Sequence, residues 1–483
     1  MLWRWIAGWC VAVGLSAAAA DVPSQPRLEE AFAAATAGLV RRAEASGAAD
    51  LAAVIRGWDA PPPVDRQVAF AIPPRLEPPA GLDVPEARGV WTEFLAARRT
   101  RAAGLYDLAL EAAGGRGRPA DLARPTAALA LLYRALHDDP DHARARAAAG
   151  WVRRGDGWAW PEAARRLDRG GEFDPAFGWL PRGRLARYRA GERRDRGRWM
   201  SVADEAARQL TIDRGRQFDS DHWEILSTAR LAAAAELARR LEEARTVWLQ
   251  VFGAAAAPPA DIARRLGGRE PSDARPPFAA VLCADRGQYV AELERLVPTA
   301  ADTDGMYWRP TQTAWFLAGR PPDGGPAAAT VWHEATHQLC AEACIASPLA
   351  GERCGFWALE AVACHMESIR PAAWGWTIGG RDAGRVPAAR RLLVEEEFFV
   401  PLAELAALGR EAFQADPRVG RIYDQLAGLA DFLLNGHDGR YREAFVQYLR
   451  RVVTGTDDPD TLARLCDRSC ADLDAEYRRH LSR

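Results

Sequence analysis

Lysine is absent from this sequence: all 63 basic residues are arginine, they face 65 acidic residues, and the formal charge is −2. A chain so balanced lacks the positive field of a nucleic-acid-binding protein or a polybasic membrane-surface protein. The arginine bias, with abundant alanine, reads as coding bias and carries no functional weight. Long apolar runs are also missing, and nothing after residue 20 resembles a membrane span. There is no Gly-rich phosphate loop, no G-x-S-x-G elbow and no dinucleotide fingerprint. The pairs Gly267-Gly268 and Gly379-Gly380 lack the flanking pattern that would make them one, so ATP and NAD are not expected ligands. Histidine is scarce, with eight residues in 483.

The N-terminus is the exception to the missing apolar runs. Residues 1–20 carry one early charge at Arg4, an apolar stretch over 6–15 and small residues ending at Ala18, Ala19 and Ala20. That is the pattern of a secretory signal peptide, shorter in its apolar part than a spanning helix, and it predicts an exported protein, periplasmic or extracellular, starting near Asp21. Cys10 lies inside the apolar run and not at the cleavage point, so no lipid-anchored N-terminus is expected. Seven cysteines remain: Cys283, Cys340, Cys344, Cys354, Cys364, Cys466 and Cys470. Their odd number leaves at least one unpaired, and the two C-x₃-C pairs read as disulfides or buried thiols before thiolate metal ligands. Spacing does not assign the pairing.

At 483 residues the chain is long enough for two or three domains. Residues 21–118 read as a helical region whose stretch 60–85, with eight prolines, is a linker or an extended wrap over the surface. Residues 119–212 begin with a helix, a DPDH turn and a second helix, spaced like a single tetratricopeptide-type unit. A Trp- and Arg-rich connector with little periodicity follows, marked by Trp151, Trp158, Trp160, Trp179 and Trp199. From 213 to 483, strand patterns gather before residue 320 and helical patterns dominate afterwards. The predicted fold class is α+β: a helical N-terminal region, a small α/β lobe and a helical C-terminal lobe.

After Gly325-Pro326 a helix is predicted, with Pro326 at its first position. It contains His333-Glu334-Ala335-Thr336-His337. On a helix His333 and His337 lie one turn apart on one face, so both imidazoles can reach one metal ion, and Glu334 is placed to act on a water there. A catalytic zinc needs a third protein ligand and an open position. Residue 343 is Ala, which removes the arrangement with a third histidine six residues on. A second helical stretch offers Glu360, 23 residues after His337, and two helices joined by such a loop can lie antiparallel. His365 falls off the Glu360 face and reads as a structural or surface histidine.

HEATHQL followed by WALEAVACHMES resembles the gluzincin pattern of peptidase-MA-like proteins, exported bacterial proteins distantly similar to aminopeptidase N-type zinc metallopeptidases. The likeness runs from about residue 218 to the C-terminus. It implies a zincin-like domain with Zn²⁺ held by His333, His337 and Glu360, and Glu334 as general base. In that family the second motif is W-x-x-E-G-x-A-x-x-x-E, which Trp357, Glu360, Ala363 and Glu367 match. Ala361 replaces its Gly, and Cys364 stands where relatives often carry an acid able to orient a ligating histidine. Glu367, on the Glu360 face, offers a carboxylate instead. The same resemblance implies that Tyr423 stabilises the tetrahedral intermediate, as a phenol can. It also implies that Thr313, Ala314, Trp315, Phe316 and Leu317 form the edge strand that pairs with an extended peptide.

The expected activity is zinc-dependent hydrolysis of a peptide or protein substrate, with no nucleic-acid partner. The alternatives are a catalytically weak or inactive metallopeptidase-like scaffold with a helical-repeat-type N-terminal region, and metal-assisted hydrolysis of a non-peptide substrate such as a cell-wall crosslink. For the latter, Trp308, Trp315, Trp332, Trp374 and Trp376 are candidates to line the cleft.

Overall fold

The computed structural model describes residues 24–58, 65–72, 77–80, 82–114, 123–269, 275–297, 300–319 and 325–482. The expected signal peptide and parts of the Pro-rich stretch lie outside these residues. Among the described residues no helix is long and apolar enough to cross a membrane, and helix and strand are mixed in one α+β architecture.

The chain begins with α1 (Gln25–Ala45) and α2 (Ala49–Trp58). A proline in the first turn of α1 costs no hydrogen bond, and Leu28, Phe32, Leu39 and Ala43 line its buried face at helical spacing. Next comes β1 (Gln67–Phe70), inside the stretch read as linker or wrap. It is a wrap there, because β1 pairs antiparallel with a strand more than 300 residues later. Then follow α3 (Pro85–Ala112), α4 (Pro125–Asp138) and α5 (Ala143–Ala149), with the DPDH turn between α4 and α5.

The Trp- and Arg-rich segment is more regular than its sequence suggests. It holds three antiparallel hairpins, each followed by a short helix: β2 (Val152–Arg154), β3 (Gly157–Ala159) and α6 (Pro161–Asp168); β4 (Gly171–Asp174), β5 (Gly178–Pro181) and α7 (Leu185–Arg189); β6 (Glu192–Asp195), β7 (Arg198–Ser201) and α8 (Val202–Ala206). Trp158, Trp179 and Trp199 occupy equivalent second strands. Strands of three or four residues are too short to show an alternating pattern, which corrects the reading of an irregular connector.

The central sheet contains β8 (Arg216–Asp219), β9 (Trp223–Ser227), β10 (Phe278–Cys283), β11 (Gly305–Trp308) and β12 (Thr313–Leu317), in the order β11-β12-β10-β9-β8. Strand β10 runs parallel to both its neighbours and is buried along most of its length, as a central strand covered on both faces should be. Between the strands lie α9 (Leu231–Val251), α10 (Pro259–Leu266) and α11 (Arg286–Leu293). One face of the sheet packs on α9 and the following helix, α12 (Ala328–Gln338); on the other, Val281 and Cys283 meet Tyr289 and Leu293 of α11.

The rest is mainly helical: α13 (Phe356–Met366), the hairpin β13 (Arg370–Ala372) and β14 (Gly375–Ile378), then α14 (Val386–Val394), α15 (Leu402–Ala407), α16 (Arg410–Gln414), α17 (Val419–Gly439), α18 (Arg442–Thr454), α19 (Thr461–Cys466) and α20 (Cys470–Ser482). Strand β14 is the partner of β1, so the N-terminal segment completes a three-stranded sheet of the C-terminal lobe. Among the described residues all seven cysteines are unbridged thiols.

Two buried polar groups give stability tests. Arg101 and Asp138 form a two-pronged ion pair, Nε to Oδ2 and Nη2 to Oδ1, each 2.7 Å, that ties α3 to α4. Asp138→Ala leaves the buried Arg101 with a longer contact to Glu29, at 3.5 Å, and takes the acceptor from Trp58 Nε1, so it should cost about 3 kcal/mol, the lower end for a broken buried pair, read as a lower denaturation midpoint.

His365, on α13, is the second. It is buried, neither ring nitrogen has a hydrogen-bond partner among the described residues, and burial pushes its pKa down to about 4, against the attraction of Asp431 and with the repulsion of Arg442. It is therefore the structural histidine of the two readings. A histidine depressed in the folded state binds its proton more readily when unfolded, so the stability it contributes is present above about pH 6.5 and lost as pH falls towards 4. Melting curves across that range should flatten in His365→Leu; unchanged curvature would rule this group out as a source of acid sensitivity.

Candidate metal site

Helix α12 is fixed at both ends. Pro326 precedes the helix and does not open it as expected; its carbonyl accepts from Arg240 of α9. At the other end the buried amide of Gln338 accepts from Trp223 Nε1 and donates to the carbonyl of Ala279, both at 3.0 Å. These bonds tie the helix to β9 and β10. Beyond Gln338 the chain continues as a π turn, Leu339–Ala343, a deformation often found beside functional sites.

The spacing on α12 brings His333 and His337 to one face, their Nε2 atoms 3.1 Å apart. Glu360 of α13 completes the cluster: its Oε2 lies 3.5 Å from Nε2 of His333 and 3.3 Å from Nε2 of His337. Glu367, the residue that caps the C-terminus of α13, meets His333, so the two helices run antiparallel.

These three atoms fit a zinc ion. Ligands of a tetrahedral zinc, with metal–nitrogen bonds of about 2.0–2.1 Å, lie roughly 3.3 Å from one another. Oε2 of Glu360 is buried and has no hydrogen-bond donor among the described residues, although buried carboxylate oxygens are almost always partnered. Burial alone would raise the Glu360 pKa, but the facing imidazoles outweigh it and hold the carboxyl below the usual range. His333, His337 and Glu360 could thus hold a metal.

His333 is oriented through its other nitrogen. Nδ1 lies 2.8 Å from Oε1 of Glu367, and Oε2 of Glu367 accepts from Nε of Arg385 at 2.7 Å. The Glu367 carboxylate keeps the proton on Nδ1 and leaves Nε2 free for a metal. Burial works against charge on both partners, yet His333 is raised, by Cys364, Glu360 and Glu367, and Glu367 is lowered by His333 and Arg385. Cys364, His333 and Glu367 form a second, overlapping group of ligand atoms. Arg385 was not legible in the sequence, because nothing local marks the cap of α14 as a neighbour of α13. Replacing Arg385 by Gln should weaken zinc affinity about 10-fold and Glu367→Gln by up to about 100-fold, measured by competition with a chromophoric chelator. Equal affinities in wild type and both variants would remove these residues from the site.

Glu334, next to His333 in the chain, lies close enough for its charge to favour the protonated imidazole and also reaches the sheet. Its Oε2 accepts from the backbone N–H of Tyr307 at 2.7 Å, on β11. Gly305, at the start of that strand, allows the close approach, since a Cβ there would stand 2.6 Å from Thr330 and 3.2 Å from Glu334. Tyr423, near the start of α17, has its ring 6.4 Å from that of His333 and packs edge-on against Phe413. Burial, then the nearby Glu360, push its hydroxyl pKa well above the ordinary phenol value, so it is a proton donor and not an anion.

The expected edge strand is corrected. Thr313, Ala314, Trp315, Phe316 and Leu317 form β12, which is enclosed between β10 and β11, with Ala314 and Phe316 fully buried. The edge is β11. Both strands belong to one hairpin with similar residue patterns, and the pairing of β12 with β10 sends β11 outside. The tryptophans also disperse: Trp332 is buried, Trp315 packs among the residues behind the sheet, and Trp374 lines a different cavity.

No protein-family profile and no curated protein matches this chain.

Proposed function

We propose that the chain is a zinc-dependent hydrolase of peptide bonds. The observation that carries this reading is the convergence of His333, His337 and Glu360 on one point, with Glu334 held beside them against an edge strand. A bound zinc ion would supply Lewis acidity, making water a better nucleophile at neutral pH and polarising a carbonyl.

The protein groups divide the remaining work. Glu334 accepts the proton of the attacking water on its carboxylate and returns it to the leaving amine. The neutral Tyr423 hydroxyl donates to the developing oxyanion. Glu367 and Arg385 keep His333 in the tautomer that leaves Nε2 free. Strand β11 aligns the substrate. The ladder bond from Leu317 N–H to the carbonyl of Asp304 puts Met306 and Trp308 in the hydrogen-bonded positions, so the backbone groups of Gly305 and the carbonyl of Tyr307 face outwards for an extended peptide, while the Tyr307 N–H is held by Glu334.

Digestion of a broad peptide library by zinc-loaded protein, with and without a chelator, tests the proposal. Chelator-sensitive cleavage is the expected result. Folded, zinc-loaded protein that cleaves nothing would favour the scaffold reading instead.

A further inference from the structure

A second concavity, of about 520 Å³, opens where α3, α4, β1, the end of α9, the turn between β13 and β14 and the start of α18 meet. None of the residues of the metal cluster lines it. Its volume is that of a small-molecule site, which spans roughly 300–1,000 Å³. Part of the wall is apolar, formed by Val68, Phe70, Leu108, Leu131, Val251 and Trp374.

The charged part of the wall is five arginines, Arg66, Arg101, Arg124, Arg134 and Arg442, against two carboxylates, Asp138 and Glu111. Three of its arginines are neutralised: Arg66 by Asp65 and Asp382, Arg101 by Asp138, and Arg134 by Glu29. Arg124 and Arg442 also line the cavity, and neither makes an ion pair among the described residues. The carboxylate next to Arg442 in sequence, Glu443, is engaged elsewhere, accepting from the backbone N–H groups of Thr126 and Ala127 and from the Thr126 hydroxyl at the start of α4. These contacts join the start of α18 to the start of α4, and Arg124, two residues before Thr126, lines the same cavity as Arg442. The Nε of Arg442 donates to the carbonyl of Leu434 at 2.9 Å, which leaves its two terminal nitrogens for another acceptor. Burial opposes its charge, and Glu443 only partly offsets that cost.

We propose that this cavity binds an amphipathic anion, with a carboxylate or phosphate head group on Arg442 and Arg124 and an apolar body against Phe70, Leu131 and Trp374. Paired guanidinium donors suit either head group. The ligand would sit between the N-terminal helices and the sheet that β1 completes with β14, clamping two distant parts of the chain, so its binding should also raise thermal stability. This inference is independent of the metal site.

Titration calorimetry on the purified chain in its expected exported form, using dodecanoate and dodecyl phosphate below their micellar concentrations, tests the proposal, with dodecyltrimethylammonium as the cationic control. At least one anion should bind at a single site with a dissociation constant on the order of 10–100 μM, and the cation at least about tenfold more weakly. A preference for dodecanoate assigns a carboxylate ligand, and a preference for dodecyl phosphate a phosphate one. Arg442→Gln and Arg124→Gln should each weaken anion binding about tenfold with zinc content unchanged. Arg124 is exposed, so its variant carries the test if Arg442→Gln does not fold. Equal binding of cation and anions, undiminished binding in both variants, or no saturable binding of either anion to the folded chain would overturn the proposal.

Discussion

Glu334→Gln is expected to lower peptide hydrolysis by about 10²–10⁴-fold, the usual contribution of a positioned general base. The substitution is nearly isosteric, and an amide oxygen can still accept the Tyr307 N–H that anchors the native carboxylate at 2.7 Å. Zinc content and melting temperature should therefore stay at wild-type values. That combination separates a chemical role from a structural one. An unchanged rate would sink Glu334 as the base, and a loss of zinc would show that the side chain supports the site.

Glu360→Ala should abolish zinc retention. Wild-type protein purified without added metal is expected to carry about one zinc per chain by elemental mass spectrometry, and the variant less than about one-tenth of that, since two imidazoles without a third protein ligand make a weak site. The effect should be larger than that of Glu367→Gln, because Glu360 faces both imidazoles while Glu367 reaches only the outer nitrogen of His333. Glu360 is buried, so circular dichroism of the variant belongs with the measurement. A folded wild type without zinc would remove the basis for the hydrolase proposal. Retention of a full zinc equivalent by Glu360→Ala would mean that another residue is the third ligand, and Cys364 of the overlapping group is then the first to examine.

The two metal-site predictions lean on different kinds of information. His333, Glu334 and His337 were readable because the distance between them is a property of one helix. Glu360 required only that two neighbouring helices run antiparallel, and the cluster on α12 and α13 has that form. Tyr423 lies 86 residues beyond His337 in the chain and was marked only by resemblance; its approach to His333 depends on the packing of α17 against α13. The repeated hairpins left a periodic signal in Trp158, Trp179 and Trp199, yet their strands are too short for alternation to register.

By itself, then, the sequence determined what local geometry dictates: the shared face of His333 and His337, the position of Glu334 next to them, and the longer helices and central-sheet strands β9, β10, β11 and β12. Periodicity expresses itself within a few residues, so it survives in the linear chain. Only the tertiary structure decided which strand of the hairpin faces outwards, that Arg385 holds Glu367 against His333, that β1 crosses to β14, and that Arg124 and Arg442 meet at one cavity. Each of these is a contact between residues far apart in the chain. Such contacts are selected by burial and hydrogen-bond satisfaction over the whole molecule, and no local pattern records them.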